Sequence, residues 1–361
     1  MKKSLRYLAG VLALALVAAA CGQDDGSGST TTAGGGGAGE GVKVGLVYDI
    51  GGRGDQSFND AAYAGVERAK NELGIEFTEA SPNDDGSNRK ELLELAAQNS
   101  DIVIAVGFLF EGDAAAVAAE YPDVNFAVVD TAMINGETNE PYGDNTAGLV
   151  FAEHEGSFLV GAAAALKSES GVIGYIGGVA GMGGLIEKFE AGYVAGAKAV
   201  NPDIKIVSQY ITTAPDFNGF TAPDRARDIA LNMYENEGAD VIYHAAGLSG
   251  VGLFEAAKEY SEASGAKVWA IGVDSDQYNT ADAAVKDYIL TSMLKRVDVA
   301  VFEIIKAHIE GSFGSGPQTY DLKVDGVGYA TSGGFVDDIK DKLDEFKSKI
   351  VSGEITVPTE P

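Results

Sequence analysis

The feature that most restricts the fold of this chain is an alternation of short apolar runs with longer amphipathic segments, which starts at Val42. The apolar runs predict strands at 43–48, 75–79, 102–106, 125–129, 171–176, 205–210, 240–244 and 267–273. Helical periodicity between them predicts helices at 59–73, 88–98, 113–120, 185–199, 224–236 and 250–262. Elements that alternate in this way form parallel sheets with helices on both faces. A length of 361 residues predicts two such α/β domains, or one unit of two lobes.

Two segments of the chain resemble each other. Residues 101–130 begin DIVIAVGFLFEG and end FAVVD, and residues 240–274 begin DVIYHAAGLSG and end AIGVD. Each segment reads as strand, glycine turn, helix, strand and aspartate. Ligands of open α/β sheets bind beyond the carboxyl ends of the strands, so a true duplication would place Asp130 and Asp274 on opposite sides of a cleft. In the alternative, any two βα units look alike, and the two aspartates are strand-end acids that cap helices.

The N-terminus has the features of an export signal. A basic start precedes an apolar run at 8–20, which is shorter than the roughly 20 residues of a membrane-spanning helix. The run ends VAAAC at Cys21 and is similar to the lipobox of bacterial lipoproteins, although Ala18 stands where a larger aliphatic residue is usual. The alternative is an ordinary cleaved signal in which Cys21 is incidental. Nine of residues 22–41 are glycine, which predicts a flexible tether.

Charge and composition limit the partners of the chain. Asp and Glu number 54 against 26 Lys and Arg, so the formal net charge is −28. A surface this acidic repels phosphate backbones, and nucleic acid is therefore not an expected partner. Cys21 has no second cysteine to pair with, and the three histidines are widely separated in sequence. Neither a metal nor a cofactor is expected.

The segment DIGGRGDQSFND, from Asp49 to Asp60, directly follows the first predicted strand. Its glycines permit a tight loop and a close approach of backbone to a ligand. Ser57 and Asp60 have the spacing of a capping box, which predicts that the helix begins at Phe58. The ring of Phe58 is then either a hydrophobic staple or a platform on which a ligand stacks.

Motifs of catalysis are missing from the sequence. The glycine-rich segments do not have the GxGxxG spacing, no GK[ST] is present, and GLSGVG at 247–252 only approaches GxSxG. This pattern favours a binding protein, and the chain is not expected to be an enzyme.

Five ordered motifs resemble the basic membrane protein family, whose members are lipid-anchored substrate-binding proteins of ABC transporters and include purine nucleoside receptors. The motifs are DIGGRGDQSFND, GYIGG at 174–178, FEAGYVAGAK at 189–198, GADVIYHAAGLSGVG at 238–252 and WAIGVDSDQ at 269–277. The resemblance implies a type I periplasmic-binding-protein fold of two doubly wound parallel-sheet lobes, joined by three crossings near residues 152, 295 and 317. The implied division is a signal peptide at 1–20, the lipidated cysteine and tether at 21–41, an N-terminal lobe at 42–152 plus 295–316, and a C-terminal lobe at 153–294 plus 317–361.

The resemblance also implies a binding site. In the family a nucleobase lies between two aromatic rings, which implies Phe58 as one ring and Phe220, in NGFTAPDRARDIA, as the other. The family reads Phe-x-Asp-Pro at that loop and this chain reads Phe-Thr-Ala-Pro, so Phe217 is a rival for the second ring.

Polar site residues are implied in the same way. Asp49 and Asp130 match the positions that meet the base, Asp274 the position that takes the ribose hydroxyls, and Lys295 the lysine at the second crossing. Without the resemblance, the sequence favours equally a Lys295 in the binding site and a Lys295 that pairs with Asp298 on a solvated face. The remaining residues implied to line the pocket are Asn59, Gly107, Phe108 and Gly247.

The implied function is that of an extracytoplasmic, lipid-anchored receptor. It would bind nucleosides, preferably purine nucleosides, in a cleft between lobes and deliver them as a monomer to an ABC transporter permease. Three alternatives stay open: a receptor of the same fold for a sugar or furanosyl signal, a ligand sensor for a signalling partner, and an extracytoplasmic nucleoside hydrolase.

Overall fold

The computed structural model describes residues 37–83 and 85–361. The predicted signal peptide, Cys21 and most of the predicted tether therefore lie outside the described residues. Residues 37–41, the end of that tether, form a turn in which the Gly39 N–H donates to the Leu73 carbonyl at 2.8 Å. Among the helices of the described residues, none combines the length and apolarity needed to span a bilayer.

Twelve strands and ten α-helices, with short 3-10 turns between them, make up the described fold. The strands are β1 (Lys43–Val47), β2 (Glu76–Ala80), β3 (Ile102–Ala105), β4 (Asn125–Val129), β5 (Thr146–Phe151), β6 (Val172–Ala180), β7 (Lys205–Thr213), β8 (Val241–Ala245), β9 (Trp269–Asp274), β10 (Ile289–Lys295), β11 (Gly316–Tyr320) and β12 (Val327–Tyr329). The helices are α1 (Phe58–Leu73), α2 (Arg89–Ala97), α3 (Glu111–Glu120), α4 (Glu153–Lys167), α5 (Leu185–Val200), α6 (Pro223–Glu235), α7 (Gly250–Ser264), α8 (Gln277–Thr280), α9 (Val297–Ile309) and α10 (Lys340–Val351).

The strands form two six-stranded sheets of the same connectivity. The first has the order β11-β5-β4-β3-β1-β2 and the second β12-β10-β9-β8-β6-β7. All neighbours pair in parallel except β12, which is antiparallel to β10. The predicted α/β class with two doubly wound parallel sheets is therefore confirmed, and all eight predicted strands are present. The two similar segments occupy equivalent places, β3–α3–β4 in one sheet and β8–α7–β9 in the other.

The chain passes between the sheets at three places. It leaves the first sheet after Phe151, directly into α4, and it returns after Lys295, directly into α9. The third passage was predicted near residue 317, but β11 pairs with β5 through Tyr320, so the chain crosses between Tyr320 and Val327. The sequence GPQTY of this strand contains no apolar run that would have revealed it.

Helix α4 was not predicted because it lacks an amphipathic pattern. Ten of its fifteen residues are buried, including Glu153 at its first position. It packs closely on α5 through glycines. A Cβ at Gly161 would overlap the backbone of Tyr193, and one at Gly196 would overlap the backbone of Phe158. This close contact places the N-terminus of α4 beside the carboxyl ends of both sheets.

Candidate functional site

A cavity lies at the carboxyl ends of the strands of both sheets. Predicted site residues that line it are Asp49, Phe58, Asn59, Phe108, Asp130, Phe220, Gly247, Asp274 and Lys295. The positions follow from the topology, because Asp49 comes just after β1, Asp130 just after β4, and Asp274 ends β9. The structure thus brings together residues that are up to 246 positions apart, as expected for the switch region of doubly wound sheets.

The two aspartates of the similar segments share an unusual backbone conformation. Asp130 has φ +68° and Asp274 has φ +62°, both in the left-handed region that non-glycine residues rarely adopt. Such backbone strain tends to concentrate at functional sites, where surrounding contacts maintain it. The glycines that precede the two helices match as well, since Gly107 and Gly247 both have positive φ.

Lys295 is a buried cation paired with a buried carboxylate. Its Nζ donates to Asp130 Oδ2 at 2.6 Å, and the two side chains are 2% and 6% exposed. The rings of Phe58, Phe151 and Phe189 lie 4.6, 5.3 and 5.7 Å from the same Nζ. Burial opposes the charge, but the carboxylates of Asp130, Asp274 and Glu153 outweigh it and raise the pKa of Lys295.

The alternative partner for this lysine is wrong. Asp298 instead accepts from the guanidinium of Arg296 at 2.9 Å. Lys295 is the last residue of β10 and lines the cavity, whereas Arg296 lies beyond the strand, directly before α9.

The predicted capping box at the start of α1 is also wrong, although the helix begins at Phe58 as predicted. Ser57 makes no capping hydrogen bond. Asp55 caps the helix instead: its Oδ2 accepts from the N–H of Asn59 at 2.8 Å and its Oδ1 from those of Ser57 and Asp60 at 3.0 and 3.1 Å. Burial raises the pKa of Asp55 to about 6, against the effect of these N–H donors. Asp55 lines the cavity and was not predicted.

Asp49 is held in place by its neighbours. Its N–H donates to Asn59 Oδ1 at 3.0 Å, and its Oδ1 accepts from the Ile50 N–H at 2.8 Å. Burial raises the pKa of Asp49 to about 6, while the Ile50 N–H and the Arg89 guanidinium act against the rise. Gly107, expected to line the pocket, lies behind Asp49 instead. A Cβ there would overlap Asp49 Oδ2, so the glycine makes room for the carboxylate.

The apolar wall contains residues from both lobes. Phe58 and Phe108 come from the first and Phe220 from the second, while Phe217 is not among the residues that line the cavity. Gly178 in the GYIGG motif makes room for Phe220, because a Cβ at that position would overlap the ring. Residues that the sequence interpretation missed are Ile50, Met182, Leu185, Ile186, Phe189, Ala245, Ala246, Leu248 and Val273. Four of these belong to the segment from the glycine-rich turn after β6 into α5, which is equivalent to the loop after β1. That equivalence was a usable signal.

Glu153 is a buried carboxyl that sequence reasoning also missed. Glu153 is 1% exposed, and its Oε2 has no hydrogen-bond partner among the described residues. Burial raises its pKa to about 7, with Asp130 acting in the same direction and Lys295 and Lys188 against it. Its place next to the predicted crossing at 152 was the available signal.

Comparison with known proteins identifies the family. The model of the Bmp family, described as ABC transporter substrate-binding protein PnrA-like, matches residues 42–360. The chain belongs to the Bmp family. It is 35% identical to basic membrane protein A of Borreliella burgdorferi over 88% of each chain. It is 32% identical to the ABC transporter nucleoside-binding protein BmpA of Lactococcus lactis subsp. cremoris, over 88% of this chain and 89% of that protein.

A solved structure supports the same assignment. An ABC transporter solute-binding protein from Aeropyrum pernix K1 superposes with a TM-score of 0.74 at 30% identity, covering 88% of this chain and 93% of that one. The resemblance found in the sequence and the type I periplasmic-binding-protein fold are both confirmed. As a Bmp-family member, the chain is an ABC transporter substrate-binding protein, and the family is one of binding proteins, not enzymes.

The cavity of this Bmp-family protein combines aromatic rings with hydrogen-bond acceptors. Rings can stack on a flat ligand, and carboxylates accept strong hydrogen bonds from hydroxyl and amine groups. Lys295 is the one cation among the residues that line the cavity, and its charge is already matched by Asp130. The arrangement can therefore hold a planar, uncharged ligand that carries donors at its edge.

Proposed function

We propose that this protein binds nucleosides, preferably purine nucleosides, and delivers them to an ABC transporter permease. The observation that carries the proposal is the lining of one cavity by aromatic rings and by carboxylates from both lobes. A nucleoside has two π faces, a base edge with donors, a vicinal diol and no charge, so each of its parts has a complement in the cavity. The nucleoside-binding name of the Lactococcus lactis relative supports the same ligand class.

Each contact has a role in this proposal. Phe58 and Phe220 sandwich the base, where stacking contributes about 1–3 kcal/mol per base. Asp49 and Asp130 meet the base edge, and Asp274 accepts from the diol. A hydrogen bond to a charged group contributes about 1.5–3 kcal/mol. Asn59, Phe108 and Gly247 complete the walls, and Lys295 holds Asp130 in place through their ion pair.

Nucleosides are favoured over nucleotides. A phosphate would enter a cavity that Asp49, Asp55, Asp130 and Asp274 line with carboxyl groups, on a chain of net charge −28. Repulsion between like charges in a cavity of low polarity costs several times what it costs in water. We expect adenosine 5′-monophosphate to bind far more weakly than adenosine. Equal affinities would contradict this part of the proposal.

For this role the protein would lie outside the cytoplasm and act as a monomer. Lipid on Cys21 would anchor it to the membrane, and residues 22–41 would form the tether. The export signal and lipobox-like sequence support this placement. Growth of producing cells with radiolabelled palmitate tests it. Label should enter the native protein and not a Cys21→Ser variant, whereas label on neither would leave an ordinary cleaved signal.

Thermal unfolding with a ligand panel tests the ligand class. The purified protein, freed of bound ligand by unfolding and refolding, is heated with nucleosides, nucleobases, nucleotides and sugars. A ligand that binds only the folded state adds about 2.7 kcal/mol of stability at 100 times its Kd. A rise in Tm with nucleosides alone supports the proposal, and a rise with sugars alone favours the same-fold alternative. Release of free base from a nucleoside would favour the hydrolase.

A further inference from the structure

Two segments from opposite sides of the cavity are joined by a set of hydrogen bonds that do not involve a ligand. The first is the loop before α1, and the second runs from the end of β9 through α8. Residues of this interlobe clasp are Gln56, Ser57, Asp274, Ser275, Gln277 and Thr280. Its bonds are Ser57 Oγ to Asp274 Oδ2 at 2.6 Å, Ser275 Oγ to Ser57 O at 2.9 Å, Thr280 Oγ1 to Gln56 O at 3.1 Å and Gln277 Nε2 to Gln56 O at 3.2 Å. The Ser57 hydroxyl also lies within hydrogen-bond distance of Val273 O, at 3.2 Å, so the Asp274 oxygen is the nearer of its two acceptors.

The local backbone directs Ser57 into this clasp. Gln56 has φ +57°, an unusual value for a residue other than glycine. Because Asp55 caps α1, the Ser57 hydroxyl is not needed at the helix start and can reach across to the second lobe. Ser57 is fully buried, so its bond to Asp274 is shielded from solvent.

This bond leaves Asp274 with one carboxylate oxygen for the cavity. Oδ2 accepts from Ser57, while Oδ1 accepts no hydrogen bond from any described residue, and the side chain lines the cavity. Burial raises the pKa of Asp274, while Lys295 and the hydroxyl of Ser57 act against the rise. The orientation of Oδ1 thus depends on a residue of the other lobe.

We propose that Ser57 is a positioning and specificity-determining residue, which aims Asp274 at a vicinal diol only when the lobes are closed. The inference rests on the proposed nucleoside function and deepens it. Opening of the cleft would break the Ser57–Asp274 bond, because Ser57 follows a strand of the first sheet and Asp274 ends a strand of the second. Among the bonds of the clasp, this one couples recognition of the sugar to closure, because it is the one that the Asp274 carboxylate accepts.

Calorimetric titration of the full chain with two ligands tests this role. The ligands are a ribonucleoside and the 2′,3′-dideoxynucleoside of the same base, which lacks the hydroxyls that Asp274 would meet. The quantity measured is the ratio of the two affinities. Ser57→Ala should lower this ratio about tenfold, since a charged hydrogen bond loses its alignment.

Ser275→Ala is the matched control. It removes a bond of the same clasp, from Ser275 to Ser57 O, and leaves the Asp274 carboxylate untouched. It should weaken both ligands equally and leave the ratio unchanged. Ser57→Cys keeps a donor at this position, although a weaker one, and should give an intermediate ratio. This variant replaces Ser57→Ala if Ser57→Ala does not fold.

The outcomes separate the two proposals. If the native protein binds ribonucleosides and Ser57→Ala leaves the ratio unchanged, Ser57 is only part of the clasp and the positioning role is overturned. If Ser57→Ala lowers the ratio equally in the presence of Asp274→Asn, the effect does not pass through Asp274, and the inference is again overturned. If the native protein binds no nucleoside, the proposed function itself fails.

Discussion

The ammonium of Lys295 lies 2.6 Å from the carboxylate of Asp130 in a site where neither side chain is more than 6% exposed. The pair connects the last residue of a strand in the second sheet with the end of a strand in the first. Because Lys295 also directly precedes the second crossing, this contact ties the floor of the cavity to the segment about which the lobes would move. Its energetics therefore concern both stability and ligand binding.

Breaking this pair should be strongly destabilising. Asp130→Asn leaves the buried Lys295 without its hydrogen-bonded partner, which typically costs about 3–5 kcal/mol, a large fraction of the roughly 5–15 kcal/mol by which native domains are stable. In the double variant with Lys295→Met, part of the lost stability should return, because the buried ammonium that has no partner is removed. Urea unfolding of both single variants and the double variant measures the coupling. The exposed pair Arg68–Glu72 is the control, and Glu72→Gln should cost less than about 1 kcal/mol. Additive effects of Asp130→Asn and Lys295→Met would contradict the prediction.

Glu153 predicts how stability depends on pH. Its pKa is raised to about 7 in the folded protein from an ordinary value of 4.5, mainly by burial. The folded state thus binds more protons than the unfolded state between these values. The contribution of Glu153 to the free energy of unfolding is therefore fully present below pH 4.5, and it is lost as the pH rises through 7. Asp49 and Asp55, both with pKa raised to about 6, act in the same direction.

Glu153→Gln tests this dependence, since the amide keeps the shape and cannot ionise. We expect it to raise the free energy of unfolding at pH 8 by roughly 2 kcal/mol and to change it little at pH 5. Denaturant unfolding across this range is the measurement, with the exposed Glu255→Gln as control. A Glu153→Gln variant with the same pH slope as the native protein would show that another group is responsible.

The sequence predicted the architecture because the βα alternation is local and repeated. It did not predict the contacts that complete the site, because these join distant segments. Ser57 and Asp60 have the spacing of a capping box, yet the partner of Ser57 is Asp274, 217 residues away. Because Ser57 bonds to Asp274, the cap of α1 is provided by Asp55 instead. Beyond the place of Glu153 next to the predicted crossing, nothing in the local sequence marks it as a buried carboxyl. Its raised pKa comes mainly from burial, with Asp130 adding to the rise and Lys295 opposing it, and only the folded chain brings these groups together.

The two rings assigned to the base should contribute similarly to ligand binding but unequally to stability. Phe58→Ala and Phe220→Ala should each weaken nucleoside binding by about ten- to a hundredfold, from the loss of one stacking contact. Phe217→Ala is the control, because Phe217 does not line the cavity. Phe58 also covers Lys295, with its ring 4.6 Å from Nζ, so its variant should in addition lose stability. Calorimetric titration and thermal unfolding give both quantities. A larger binding loss for Phe217→Ala than for Phe220→Ala would reverse the assignment.

Substitution of Gly107 should affect ligand binding although this residue would not contact the ligand. A Cβ at this position would overlap Asp49 Oδ2, and its φ of +102° disfavours any side chain. Gly107→Ala should therefore displace the Asp49 carboxylate and weaken nucleoside binding about tenfold or more, with a loss of roughly 1–3 kcal/mol in stability. Gly112→Ala, in α3 and with no atom within 4 Å of the added Cβ, should leave binding unchanged and slightly stabilise the helix. Titration calorimetry compares the two variants on one ligand. Because the predicted defect acts through Asp49, Gly107→Ala should add little to the loss caused by Asp49→Ala, and a fully additive loss would show that the glycine acts elsewhere.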